Sequence, residues 1–85
     1  MTREQVDELV AALRAEFDQA LVDAEEVREG RYRFAVVWDG FEDRPHRDRQ
    51  KAVWAIADRL FPGPTLLDVA MIITMSSSET PQPLH

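Results

Sequence analysis

Pro45-His46-Arg47-Asp48-Arg49-Gln50-Lys51-Ala52-Val53-Trp54-Ala55-Ile56-Ala57-Asp58-Arg59-Leu60, closed by Phe61-Pro62-Gly63-Pro64, is the stretch on which the fold turns. Ala52, Val53, Ile56, Ala57 and Leu60 recur at helical spacing, which predicts one buried stripe. Pro45 suits a first helical turn, Asp43–Arg47 and Arg44–Asp48 stand at i,i+4 separation, and Pro62-Gly63-Pro64 stops the helix. A helix of this length between two strands carries the chain back across a sheet. The flanking strands are therefore expected to run parallel, joined by a right-handed crossover.

Upstream, Tyr32, Phe34, Val36 and Trp38 alternate with Arg33, Ala35 and Val37, the period-2 signature of a strand, and Asp39-Gly40 ends it. Glu29-Gly30 predicts a turn, so the short apolar run Ala20 to Ala24 is expected as an antiparallel edge strand. Further back, Thr2 and Gln5 form a capping-box pattern. Val6, Leu9, Val10, Leu13 and Phe17 then fall on one stripe, with Asp7, Glu8, Arg14 and Glu16 toward water. Downstream, Leu66 to Met75 is apolar on both faces and is expected as a strand covered on much of both sides.

The expected architecture is an α/β (α+β) sandwich with element order α-β-β-α-β. It has a mixed three-stranded sheet of strand order 1-2-3 with both helices on one face. The other face, carrying Ala35 and Val37, would be open to solvent or to a partner, which leaves a monomer or a homodimer through that face. Residues 1–75 are expected as one domain and residues 76–85, polar with two prolines, as a flexible tail.

Composition bounds the function. Eighty-five residues can build one core, and 45% hydrophobic with 31% charged residues suits a folded, water-soluble chain. The longest apolar run is interrupted by Asp68 and falls short of the roughly 20 residues of a membrane helix. The opening residues lack a secretory pattern and there is no cysteine, so a cytoplasmic location is expected, without disulfides or thiolate chemistry. The net charge of −6 is uneven: residues 1–30 hold nine acids and three bases, residues 31–60 seven bases and five acids. An acidic chain with a modest basic segment argues against tight nonspecific binding to nucleic acid.

The stretch Phe41 to Val53 and the stretch Asp68 to Glu79 together resemble the BolA-like family, with a spacing that fits most of residues 20–79 without a gap. Phe41-Glu42-Asp43 takes the place of that family's Phe-x-Gly. Arg49-Gln50-Lys51-Ala52-Val53-Trp54 takes its Arg-His-x-x-Val-Tyr, Asp68-Val69-Ala70-Met71-Ile72 its His-Ala-Leu-Ser-Leu strand, and Glu79 its closing Glu. Phe41, Arg49, Val53 and Glu79 are identities; the family's helix and strand histidines are here Gln50 and Asp68, and its Gly is Asp43. The resemblance implies a type II KH-like fold. In such proteins the strand histidine and a Cys or His from the loop between the first two strands help to hold an iron–sulfur cluster with a monothiol glutaredoxin. Asp68 and the loop Glu25 to Gly30 offer only carboxylates, a poor match for that cluster, so a glutaredoxin-type partner and a cluster cofactor are disfavoured.

Arg44, His46, Arg47, Arg49 and Lys51 crowd one loop and the first helical turns, where family members have been proposed to touch DNA, and form a candidate edge for a protein partner or for nucleic acid. Glu42, Asp43 and Asp48 are interleaved with them, and no Gly-x-x-Gly clamp precedes the helix. His46 and His85 are the sole histidines and no metal-ligand spacing appears. No nucleophile–base pair or carboxylate dyad is legible, which predicts a non-enzyme. The expected role is a small BolA-like protein-binding module without a cofactor; the alternative is a weak nucleic-acid-binding domain using the Arg44–Lys51 edge. Asp68 remains a carboxylate in need of a partner.

Overall fold

Thr2 opens the first helix with a reciprocal cap: its hydroxyl accepts from the Gln5 N–H at 3.2 Å while the Gln5 amide oxygen accepts from the Thr2 N–H at 2.8 Å. The computed structural model describes residues 1–79 and places α1 over Arg3–Glu16, β1 over Leu21–Arg28, β2 over Arg31–Val37, α2 over His46–Leu60 and β3 over Val69–Met75. Short 3₁₀ turns cover Asp39–Phe41, Pro64–Asp68 and Ser77–Glu79.

The sheet is three-stranded in the order β1-β2-β3. β1 lies antiparallel to β2, with Leu21 opposite Val37 and Glu25 opposite Arg33. β3 lies parallel to β2, with Phe34 beside Ile72 and Val37 beside Met75. This is the mixed arrangement that a two-residue turn followed by a helical crossover dictates. At the turn Gly30 has φ +76°, which a residue without Cβ adopts at no steric penalty.

One hydrophobic cluster joins Val6, Leu9 and Leu13 of α1, Tyr32, Phe34 and Val36 of β2, Val53, Ile56 and Ala57 of α2, and Val69 and Ile72 of β3. Phe17, Phe41 and Phe61, at element ends, close it. Because successive strand residues point to opposite sides, burial of Tyr32, Phe34 and Val36 fixes Arg33, Ala35 and Val37 on the face away from the core.

Two strand boundaries and the covering of one strand differ from expectation. β1 runs to Arg28, four residues past Ala24, because pairing with β2 imposes strand geometry on a segment in which Val22 alone is buried. β3 begins at Val69: Pro64 starts a 3₁₀ turn through Asp68 that leaves Leu67 74% exposed. A register shift in its pairing with β2 then separates Val69 from Met71. β3 is also covered on one side only, since Met71 on its outward face is 48% exposed.

The expected tail boundary at residue 76 is corrected too. Ser76 is fully buried, its N–H donates to Glu79 at 2.9 Å, and the Ser77–Glu79 turn is fastened to α2 through Glu79. The rest of the expected tail, residues 80–85, lies outside the described residues. Among the described residues no helix is long and apolar enough to cross a membrane.

Candidate functional site

The start of α2 does not present its cations as one patch. Arg49 lies one helical turn before Val53, on the buried stripe, and is only 3% exposed. Its guanidinium donates to both Glu79 carboxylate oxygens at 2.7 and 3.0 Å, and its Nε donates to the Arg44 carbonyl at 2.9 Å. It also stacks 5.7 Å from the Phe41 ring centre. A planar fork with every side satisfied is a structural clamp between α2, the loop before it and the C-terminal turn. The Arg49 fork, together with the Ser76 N–H, holds the Glu79 carboxyl down to a pKa of about 2.

Arg44, His46, Arg47 and Lys51 remain exposed around this clamp. Arg44 lies over the Trp38 ring at 5.5 Å, and neither Arg44–Asp48 nor Asp43–Arg47 forms an ion pair among the described residues. Trp38 in turn packs at 4.9 Å from Phe17 and edge-on at 5.1 Å from Phe41, and its indole N–H donates to the Asp18 carbonyl. The indole covers Gly40 so closely that a Cβ there would lie 2.3 Å from it, which is why this loop position takes glycine. The same loop is tied to the C-terminal turn: Asp39 accepts from Ser77, whose hydrogen bonds hold its carboxyl below the usual range, and Glu42 accepts from the Ser78 hydroxyl.

Asp68, at the foot of β3, accepts from the Met1 ammonium, which also donates to the Gly30 carbonyl at 3.1 Å. The residue without an evident partner in the sequence is thus answered by a group 67 positions away. Gln50 makes a second cross-link: its amide donates to the Ile72 carbonyl at 2.8 Å, while its oxygen accepts from the Trp54 indole at 3.0 Å. Among the described residues no group of three or more His, Cys, Asp or Glu converges as a metal site, and no buried side-chain polar atom lacks a partner.

The remaining feature is the open face of the sheet. Leu21, 72% exposed, and half-buried Ala35, Val37, Ile73 and Met75 lie on it, joined by Met71. Two adjoining shallow depressions of about 430 and 370 Å³ share Asp23 and Ala35 as walls. Arg33 and Glu25 pair across one of them at 2.9 Å. Ala35 and Val37 were legible in the sequence as an open face. Leu21, Ile73 and Met75 were not, because an apolar residue on a strand reads as covered until the structure shows which side has no neighbour.

The site therefore contains an apolar platform, a paired charge and an acid. Compared with protein-family models, with curated proteins and with solved structures, the chain matches none.

Proposed function

We propose that this chain is a BolA-like, non-catalytic interaction module that binds a protein partner through the open face of its sheet. The observation that carries this is the uncovered side of a parallel strand pair. β2 and β3 run parallel, and parallel pairs are ordinarily covered on both faces. Here Ala35, Val37, Ile73 and Met75 have helices behind them and, among the described residues, no element packed in front. A contiguous apolar patch of this kind marks an interaction surface.

Three features support the family resemblance. The element order and the antiparallel-then-parallel pairing agree with a type II KH-like fold. Arg49 and Glu79, two of the four identities, bond each other directly. Asp43, standing where the family has Gly, has φ +66°, a left-handed conformation that glycine adopts most easily and aspartate tolerates. The iron–sulfur cluster that the resemblance implies does not fit these residues. Asp68 is engaged by the Met1 ammonium, and the β1–β2 turn contributes a Gly30 carbonyl to the same spot instead of a soft donor.

Clamping of Arg49 also favours the sheet face over the Arg44–Lys51 edge, since it removes from solvent one of the four cations Arg44, Arg47, Arg49 and Lys51. The test is affinity capture with the wild-type chain, Ala35→Arg and Arg47→Ala, beside a titration with short DNA and RNA at two salt concentrations. The expected result is a captured protein lost with Ala35→Arg and kept with Arg47→Ala, and no nucleic-acid binding at low salt. Binding to DNA or RNA that falls steeply with salt and is abolished by Arg47→Ala would replace this function with the nucleic-acid one.

A further inference from the structure

The dimensions and charge of the open face restrict what can sit on it. Three strands about 4.8 Å apart, one of eight residues and two of seven, at about 3.3 Å per residue give a strip of roughly 14 by 23 Å over the seven-residue span that all three share. That footprint, near 330 Å², is well below the roughly 800 Å² per partner of a stable protein pair, so an occupant confined to it binds weakly and reversibly. Two copies stacked face to face would oppose net charges of −6, which disfavours a second copy as the occupant. A single α-helix of about 15 residues, roughly 22 Å long and 10 Å wide, matches the strip. It would also supply the second helical layer that a parallel strand pair ordinarily has.

Charge then selects the kind of helix. Of the two acids on the outward side of β1, Glu25 is paired with Arg33, whereas Asp23 has no ion pair among the described residues and stands between the two depressions. Arg14, on the rim beside it, turns its guanidinium to the Val22 carbonyl at 3.5 Å. Ala35 forms the floor between Asp23 and Ile73, leaving room for a large side chain.

We infer that the open face receives one amphipathic helix of a partner protein, with its apolar stripe on Val37, Ile73 and Met75 and a Lys or Arg reaching Asp23. The inference rests on the sheet-face function proposed above and adds the chemistry of the partner.

The test uses the full chain and three synthetic peptides of about 18 residues, long enough to hold helical structure. One is a Leu/Lys peptide of helical period, the second the same peptide with Glu for Lys, and the third a Leu/Lys peptide of alternating period. Affinity and amide shift changes are read by NMR. The helical Leu/Lys peptide should bind best, with shifts centred on Leu21, Ala35, Val37 and Ile73. Asp23→Asn should weaken it about 2- to 5-fold. Ala35→Arg and Val37→Lys should each weaken it by more than about 10-fold, in chains whose thermal unfolding shows them folded. Asp7→Asn on the solvent side of α1 should leave binding unchanged.

Equal binding of the Glu peptide, preference for the alternating peptide, shifts centred on α1 or on Arg44–Lys51, or indifference to Ala35→Arg and Val37→Lys would each overturn the inference. So would sedimentation showing a dimer that occupies the face. A captured partner still lost with Ala35→Arg, when the helical peptide fails, leaves the module and removes only the basic helix.

Discussion

Replacing Gln50 with Leu keeps the volume of the side chain and deletes its hydrogen bonds. In the native chain its amide donates to the Ile72 carbonyl at 2.8 Å and to the Thr74 hydroxyl at 3.4 Å, and its oxygen accepts from the Trp54 indole at 3.0 Å. The 3.4 Å bond counts for little, and the other two are worth about 1 kcal/mol each net. Trp54 is half-buried, so water recovers part of that loss. Gln50→Leu is therefore expected to destabilise by about 1–1.5 kcal/mol. In a domain of this size that lowers the melting temperature by roughly 5–10 °C. Urea unfolding followed by tryptophan fluorescence reads it as a midpoint lower by about 1 M with an unchanged slope. Gln50→Glu keeps the acceptor for Trp54 but sets a carboxylate against the Ile72 carbonyl. Its deficit should shrink as the pH is lowered and the protonated carboxyl regains a donor. A Gln50→Leu midpoint within about 0.2 M of wild type would show that α2 is held to β3 by apolar packing alone.

The Arg49–Glu79 clamp gives stability a pH signature: the Glu79 carboxyl sits near 2 in the folded chain against 4.5 ordinarily, so its contribution is complete above about 4.5 and is lost as pH falls through about 2. The difference in urea midpoint between wild type and Glu79→Gln should accordingly be constant from pH 7 to 5 and close toward pH 2; a difference that does not change with pH would deny the ion pair. Phe41 is fully buried among Phe17, Trp38 and Arg49, so Phe41→Ala should cost about 3–5 kcal/mol, enough to leave so small a domain partly unfolded at 25 °C, seen as a red shift of tryptophan emission. Asp68, about a third exposed, holds the Met1 ammonium in a pair that salt can screen, so Asp68→Asn should cost only about 0.5–1 kcal/mol at low salt and less at 1 M NaCl, measured by the same unfolding assay.

What the sequence disclosed and what it hid divide along the range of the forces involved. The stripes Val6-Leu9-Leu13 and Val53-Ile56-Ala57 and the alternation Tyr32-Phe34-Val36 are local patterns written by burial, and they were enough to place both helices, the central strand and the parallel return of β3. The second half of β1 carries no such pattern. Glu25, Glu26 and Arg28 face solvent, and the strand exists because β2 offers it a ladder. Ser76 to Glu79 reads as a fraying end because its anchor, Arg49, is 30 residues away. A local signal for that anchor was nonetheless present. Arg49 precedes Val53 by one turn on the buried stripe, and an arginine there requires a buried partner, which makes it a poor candidate for a solvent-facing contact. Leu21, Ile73 and Met75 posed the opposite problem, since hydrophobicity announces contact without naming its source.

The choice of the sheet face over the sheet edges as the place of contact follows from how the edges are treated. An open edge strand is a template for an added strand, because its outward N–H and C=O groups are unpaired. Here both edges are marked against that use. On β3 the Gln50 amide occupies the Ile72 carbonyl at 2.8 Å, and the Trp54 bond fixes its orientation. On β1 Arg14 reaches toward the Val22 carbonyl, and Asp23, Glu25, Glu26 and Arg28 line the strand with charges that an incoming backbone would have to accommodate. The register shift between Glu26 and Arg28 breaks the straight run of the ladder before its end. Among the described residues the outward face carries no comparable device: the Arg33–Glu25 pair lies at the end away from Val37 and Met75. Blocked edges beside an exposed apolar face support the proposal that a partner meets the face and not an edge. Gln50→Leu supplies a further discriminating observation: by freeing the Ile72 carbonyl it should promote self-pairing along β3 while leaving helix binding on the open face intact.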